Sequence, residues 1–149
     1  MQPGNTVDMT GPLGYFTWRQ PMNDSILVAT GTGIAPFRGM LHAYLKSGAD
    51  CNVTLVYGVR YEPSLLYRQE FEAAAEANPN FQFHPTLSRP EETWTGRRGH
   101  VQPHVLEALG ERRDVDVYIC GMKAMVDDVR QQLKAIGLDR KRIVFEKYD

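Results

Sequence analysis

The sequence predicts an α/β fold: a doubly wound parallel sheet of five strands in the order 3-2-1-4-5. Three observations carry that expectation. From residue 24 to the carboxyl end, apolar runs of strand length alternate with stretches of helical periodicity, the pattern that calls for right-handed crossovers and a parallel sheet. The first run, Ile26-Leu27-Val28-Ala29, is continuously apolar, as a strand buried on both faces must be. Thr30-Gly31-Thr32-Gly33 follows it and leads directly into a helical pattern, so strand, glycine turn and helix succeed one another without a gap.

That turn is the most informative stretch of the chain. Two glycines one residue apart allow positive φ and bring bare backbone N–H groups close to whatever sits above the strand. A phosphate is the natural occupant. Ala35-Pro36 then places a proline in the first helical turn, where its missing N–H is no loss, and Phe37, Met40, Leu41, Tyr44 and Leu45 recur at helical spacing. The dinucleotide fingerprint asks for a third glycine, and here that position is Pro36. A tight strand-to-helix turn without a ligand therefore stays open at this point.

The remaining elements follow in order. Asn52 to Val59 reads as a second strand ending at Gly58, and Ser64 to Ala77 as a helix with Leu65, Leu66, Phe71, Ala74 and Ala75 on its apolar face. Ser64 is placed to cap it. Phe81 to Leu87 alternates like a strand but contains Pro85, which suits an edge strand or an irregular end. Ser88 to Gly99 is a polar loop carrying Arg89, Arg97 and Arg98. A helix over about Pro103 to Glu111, a strand over Val115 to Cys120, a helix over Lys123 to Ile136 and a strand over Arg142 to Lys147 complete the pattern.

Residues 1–23 read as the end of something rather than the start of a domain, because Gly4, Gly11, Pro12, Gly14 and Pro21 break any long element. Val7 to Thr10 is a candidate short strand. Leu13, Tyr15, Phe16 and Trp18 need a neighbour to cover them, either the domain that follows or one that precedes. The division is thus 1–23, a remnant and linker, and 24–149, the α/β domain.

Composition narrows the function. The 149 residues suffice for one domain with a real core, and 42% apolar with 23% charged residues is ordinary for a globular protein. With 17 basic and 18 acidic residues the net charge is −1, which argues against nucleic acid or an anionic membrane as the main partner. Cys51 and Cys120 lie far apart with no metal-ligand spacing nearby, so a reducing compartment and no metal are expected. The start carries no secretory pattern and no run approaches a membrane span. A cytoplasmic location is the expectation.

In an open parallel sheet, ligands sit beyond the carboxyl ends of the strands, where the strand order reverses. Gly31-Thr32-Gly33, Gly58-Val59-Arg60, Ser88-Arg89, Cys120-Gly121-Met122 and Glu146-Lys147-Tyr148 all fall on that rim. A dinucleotide needs backbone amides for its pyrophosphate, which the turns after strands one and two supply with the positive end of the helix near Ala35. Ser88, Arg89 and Arg98 offer a hydroxyl and guanidinium forks of the kind that hold a 2′-phosphate, whereas NAD usually meets an acid. Each has a plainer reading: a solvated loop for Ser88 and the arginines, a small buried hydrophobe for Cys120, strand-end polarity for Glu146 and Tyr148. His42, His84, His100 and His104 show no convergent spacing.

Taken together, ATGTGIAPFR (Ala29 to Arg38), SLLYRQEF (Ser64 to Phe71), LSR (Leu87 to Arg89), VYICGMKAMV (Val117 to Val126) and the terminal FEKYD resemble the pyridine-nucleotide domain of the ferredoxin-NADP reductase superfamily. The resemblance covers nearly the whole chain, and GPLGYF (Gly11 to Phe16) is similar to the segment that closes the preceding flavin domain. It implies that Thr30, Gly31, Thr32, Gly33 and Pro36 form the pyrophosphate seat, that Gly58, Val59 and Arg60 flank the nucleotide, and that Ser88, Arg89 and Arg98 bind the adenosine phosphate. His100 stands where plant-type members often place a tyrosine against adenine. Cys120, with Gly121 and Met122 behind it, and Glu146 would border the nicotinamide, and Tyr148 would stack on the flavin, although Asp149 follows where plant-type members end.

The same resemblance implies NADP as cofactor, with NAD possible, because Trp94 to Val101 also looks like NADH-using oxygenase reductases. It implies FAD held mainly by a domain outside these residues, since the barrel's arginine-tyrosine-serine motif does not occur here, and a ferredoxin, flavodoxin or other electron acceptor as partner. Two rival readings stand beside it: an NADH-dependent oxygenase reductase component, and a nucleotide-sensing subunit of a redox complex that has lost catalysis.

Overall fold

The computed structural model describes residues 14–148, together with Gly4, Thr6 and Asp8. The candidate strand at Val7 to Thr10, the Gly11-Pro12-Leu13 segment and the terminal Asp149 lie outside the described residues.

Six strands form one sheet: β1 (Ser25–Thr30), β2 (Val53–Val59), β3 (Phe81–Leu87), β4 (Arg97–Arg98), β5 (Asp116–Met122) and β6 (Ile143–Tyr148). Every pairing is parallel and the order is β4-β3-β2-β1-β5-β6. Without the two-residue β4, this is the predicted order. The sixth strand corrects the expectation of a plain loop over Ser88 to Gly99. That loop folds back because the Gly99 N–H donates to the Leu87 carbonyl at 2.8 Å, the Thr86 hydroxyl to the Gly99 carbonyl at 3.0 Å, and the indole of buried Trp94 to the Arg97 carbonyl at 2.8 Å. Pro85 is accommodated because β4 pairs only with Thr86 and Leu87.

Alternation along the strands builds two cores. Leu27, Ala29, Leu55, Tyr57, Tyr118 and Cys120 face α1 (Ala35–Ser47) and α2 (Arg68–Ala77), while Ile26, Val28, Val56, Val117 and Ile119 face α3 (Val101–Leu109) and α4 (Lys123–Ala135). Each fully buried aliphatic or aromatic side chain contributes about 1.5–3 kcal/mol. A helix on each face is what a continuously apolar β1 requires.

Two helix starts differ from the sequence reading. Ser64 does not cap a helix: it ends a short 3-10 turn over Glu62–Ser64, and α2 starts four residues later after Tyr67, whose φ of 57° is left-handed. The reason is burial, since Leu65 enters the core and pulls the chain out of helical register while Leu66 stays exposed. Helix α3 starts at Val101, two residues before the expected Pro103, because Val101 is itself a core residue.

The aromatic residues before β1 pack back on the domain. Phe16 meets Phe37 and Tyr118 edge-on at 5.5 and 6.2 Å, Trp18 meets Tyr118 at 5.2 Å, and the Trp18 indole donates to the Met40 carbonyl at 2.6 Å. Tyr15 does not join them and is 99% exposed. Among the described residues, no helix is long and apolar enough to cross a membrane, and no three His, Cys, Asp or Glu side chains are grouped to hold a metal.

Candidate nucleotide-binding site

The turn after β1 is a 3-10 helix, Gly31–Ile34, that runs straight into α1. Its position is fixed by a backbone contact that only glycine permits. A Cβ on Gly33 would stand 2.7 Å from the Cys120 carbonyl carbon and 2.9 Å from the Gly121 Cα. Gly121, with φ of 155°, returns the contact: a Cβ there would press on the Thr30 hydroxyl and lie 2.8 Å from the Met125 methyl. The turns after β1 and β5 are therefore locked together at the point where strand order reverses.

Above that junction a cleft of about 1010 Å³ opens on the carboxyl rim, bordered by the turns after β1 and β2, by Ser88, by the start of α3 and by the start of α4. Of the residues expected from the sequence, Thr30, Gly31, Thr32, Gly58, Val59, Arg60, Ser88, His100 and Met122 line it. Gly33 and Gly121 lie beneath it as the glycine lock, and Pro36 sits in the first turn of α1. Arg89 follows Ser88 at the edge, its backbone N–H bonded to the Arg60 carbonyl at 2.9 Å. Arg60 and Arg89 are exposed, and neither guanidinium has a hydrogen-bond partner among the described residues. Arg98 is different, because one of its nitrogens is turned back to the Trp94 carbonyl at 2.6 Å.

The electrostatics of the rim favour an anion. The helical stretch beginning at Gly31, helix α3 and helix α4 all start on the cleft, none has a side-chain cap, and none has an acidic side chain in its first turn. Their unsatisfied N–H groups and the positive ends of their dipoles attract negative charge, each by about 0.3–1 kcal/mol at an exposed end. Asp128 is the acid in the lining, and its carboxylate accepts from the Gln102 amide at 2.6 Å.

Sequence reasoning missed Tyr61, Leu66, Gln102, Ala124, Met125 and Asp128 as lining residues. The signal that finds the last four is topological: a helix that follows a strand in a doubly wound sheet presents its first turns to the same rim.

Cys120, Glu146 and Tyr148 form a second group, beside the cleft rather than in its lining. The parallel register pairs Cys120 with Glu146 and Met122 with Tyr148, which puts Cys120, Glu146 and Tyr148 on one sheet face, the α1 side. Cys120 is fully buried, and that burial holds its thiol protonated above the usual range. Tyr148 is 38% exposed; desolvation first, and hydrogen bonding with the Cys120 thiol second, push its hydroxyl from 10.0 to about 12. Both groups are neutral at physiological pH.

These shifts have a consequence for stability. Burial also raises Cys51, Tyr57 and Tyr118, so above the ordinary values of 9.0 and 10.0 the unfolded chain loses protons that the folded chain keeps. Stability accordingly falls as pH rises through that window. Urea midpoints should drop steadily from about pH 9 to about pH 12, and a flat profile would contradict the protonated core.

Comparison with known proteins agrees with this geometry. A family profile described as the oxidoreductase NAD-binding domain matches residues 27–131. The chain is 40% identical to ferredoxin-NADP reductase B of Sorangium cellulosum, aligning 100% of this chain with 64% of that protein. It is 32% identical to the toluate 1,2-dioxygenase electron transfer component of Pseudomonas putida, aligning 97% of this chain with 43% of that protein. Among solved structures, the Amycolatopsis cytochrome P450 reductase GcoB superposes with a TM-score of 0.83 at 30% identity, over 92% of this chain and 42% of that one. The chain thus spans less than two thirds of the relatives it matches. The glycine lock, the strand order and these matches agree that the chain belongs to the oxidoreductase NAD-binding domains, and among them to the NAD(P)-binding domains of the ferredoxin-NADP reductase superfamily.

Proposed function

We propose that the chain is the NADP(H)-binding domain of an FAD-dependent ferredoxin or flavodoxin reductase of the cytoplasm, with residues 24–149 as the nucleotide domain and residues 1–23 as the link from a flavin domain outside this chain. The observation that carries the reading is the convergence of three uncapped helix starts on one cleft that also holds Arg60 and Ser88. The residues fit the group: the Gly31-Thr32-Gly33 turn and Gly58-Val59 seat a pyrophosphate, Ser88 with Arg60 and Arg89 hold a phosphate on the adenosine ribose, and Met122 borders the far end.

The nicotinamide and the flavin supply the hydride chemistry when bound, so the chain contributes orientation and electrostatics. Cys120 would offer a neutral thiol, bringing no competing charge to a ring placed on this face. Glu146 is exposed on the same face and provides a carboxylate for transient positive charge. Tyr148 covers that surface and keeps water from Cys120. Ferredoxin, flavodoxin or another acceptor would meet surfaces outside this chain.

A second reading is an NADH-dependent reductase component of an oxygenase, favoured by the commitment of Arg98 to its own loop and by the similarity to the toluate dioxygenase component. Competition between 2′,5′-ADP and 5′-AMP separates the two. On the first reading 2′,5′-ADP binds at least about tenfold more tightly, as charge-assisted hydrogen bonds to a phosphate provide, and Arg89→Ala removes most of that preference. Equal affinity for the two ligands would favour the NADH-dependent reading.

A further inference from the structure

We infer that the Tyr57 hydroxyl is a positioning group that sets two walls of the cleft at once, the phosphate turn after β1 and the segment 61–66 after β2; the inference rests on the pyridine-nucleotide reading above. Tyr57 lies in β2, and its residue is fully buried beneath the cleft. Its hydroxyl donates to the Gly31 carbonyl at 3.0 Å and accepts from the Leu66 N–H at 3.4 Å. The Ser64 carbonyl lies 3.5 Å away on the same segment. A phenol has one proton to give, and the nearer carbonyl, Gly31, takes it.

Both ends of this bridge belong to the cleft. Gly31 lines it on one side, and Ser64 and Leu66 line it on the other. The Gly31 carbonyl is a dipole in the turn that would oppose an anion if it swung outward. Tyr57 anchors it on the core side, so the turn meets the cleft with donors rather than an acceptor. The same oxygen holds the Leu66 amide, and with it the wall that carries Tyr61 and Leu66, both more than 40% exposed. A ligand that settles the turn therefore settles the opposite wall through one atom. Burial also raises the hydroxyl's pKa, which keeps the proton in place.

The test is Tyr57→Phe, which retains the ring and its packing but removes the bridge. NADP⁺ and NAD⁺ are titrated calorimetrically into the parent chain and the variant, and amide hydrogen exchange is followed residue by residue. The expected result is a Kd for the better-bound nucleotide raised about tenfold, the scale of one buried hydrogen bond left unmade. Exchange should quicken together at Thr32-Gly33 and at Leu65-Leu66, with the amides of β1 and β5 unchanged. An unaltered Kd overturns the inference, and so does faster exchange in only one of the two loops. Should the variant unfold, the Tyr57 hydroxyl proton is observed by NMR in the parent. Slow exchange that slows further with NADP⁺ supports the bridge, and rapid exchange indifferent to NADP⁺ overturns it. If the parent binds neither nucleotide, the pyridine-nucleotide reading itself fails. If the parent binds and the variant matches it, only the bridge fails.

Discussion

Gly33→Ala is expected to weaken nucleotide binding by at least about tenfold and to lower stability by about 1–3 kcal/mol, the usual cost of overpacking a filled site. The added methyl would meet backbone, 2.7 Å from the Cys120 carbonyl carbon and 2.9 Å from the Gly121 Cα. Backbone cannot rotate away as a side chain can, so either the phosphate turn or the β5 turn must shift. Gly39→Ala is the matched control. Gly39 lies inside α1, exposed, with nothing within 4 Å of the added methyl, and there alanine should stabilise the helix by about 0.5–1 kcal/mol. Chemical denaturation of the two variants should read opposite signs, and nucleotide titration should find binding weakened at Gly33→Ala and unchanged at Gly39→Ala. Similar behaviour of both would contradict the glycine lock.

On the proposed reading, the second large effect is expected in hydride transfer, measured with the chain joined to the flavin domain that this reading calls for. Glu146→Ala and Cys120→Ala should each slow the hydride step by about 10²-fold, the scale on which misplacement of reacting groups is felt, while leaving the nucleotide Kd within a few fold. The reason is separation: Cys120, Glu146 and Tyr148 share a sheet face beside the cleft, whereas the groups proposed to hold the phosphates line the cleft itself. Stopped-flow reduction of the flavin resolves the step. Unchanged rates in both variants would favour the nucleotide-sensing alternative, in which the fold is kept and the chemistry is not.

The sheet was readable in the sequence because its information is local and periodic. A continuously apolar β1 announces burial on both faces, and a glycine turn followed by Pro36 announces the start of α1. The rim could be inferred from topology alone, since every strand of a parallel sheet ends on the same side. Contacts between distant residues were not readable. Nothing near Gly33 states that the Cys120 carbonyl lies against it, and nothing near Arg98 states that its guanidinium turns back on Trp94. Ser64 looked like a helix cap because serine before a helical pattern usually is one; the pull of Leu65 into the core made it the end of a separate turn. Phe16 and Trp18 posed a choice between two partners that only the structure resolves, in favour of α1 and β5.

On the proposed reading, a pyridine nucleotide occupies the carboxyl-rim cleft with its phosphates at the turn after β1. Amide chemical-shift mapping during titration of the chain with NADP⁺ tests it most directly. Saturable shifts are expected at Thr30 to Ile34, Gly58 to Arg60, Ser88 and the first turns of α3 and α4, with residues at the opposite rim unmoved. Shifts confined to the opposite rim, or none at millimolar NADP⁺ and NAD⁺, would contradict it.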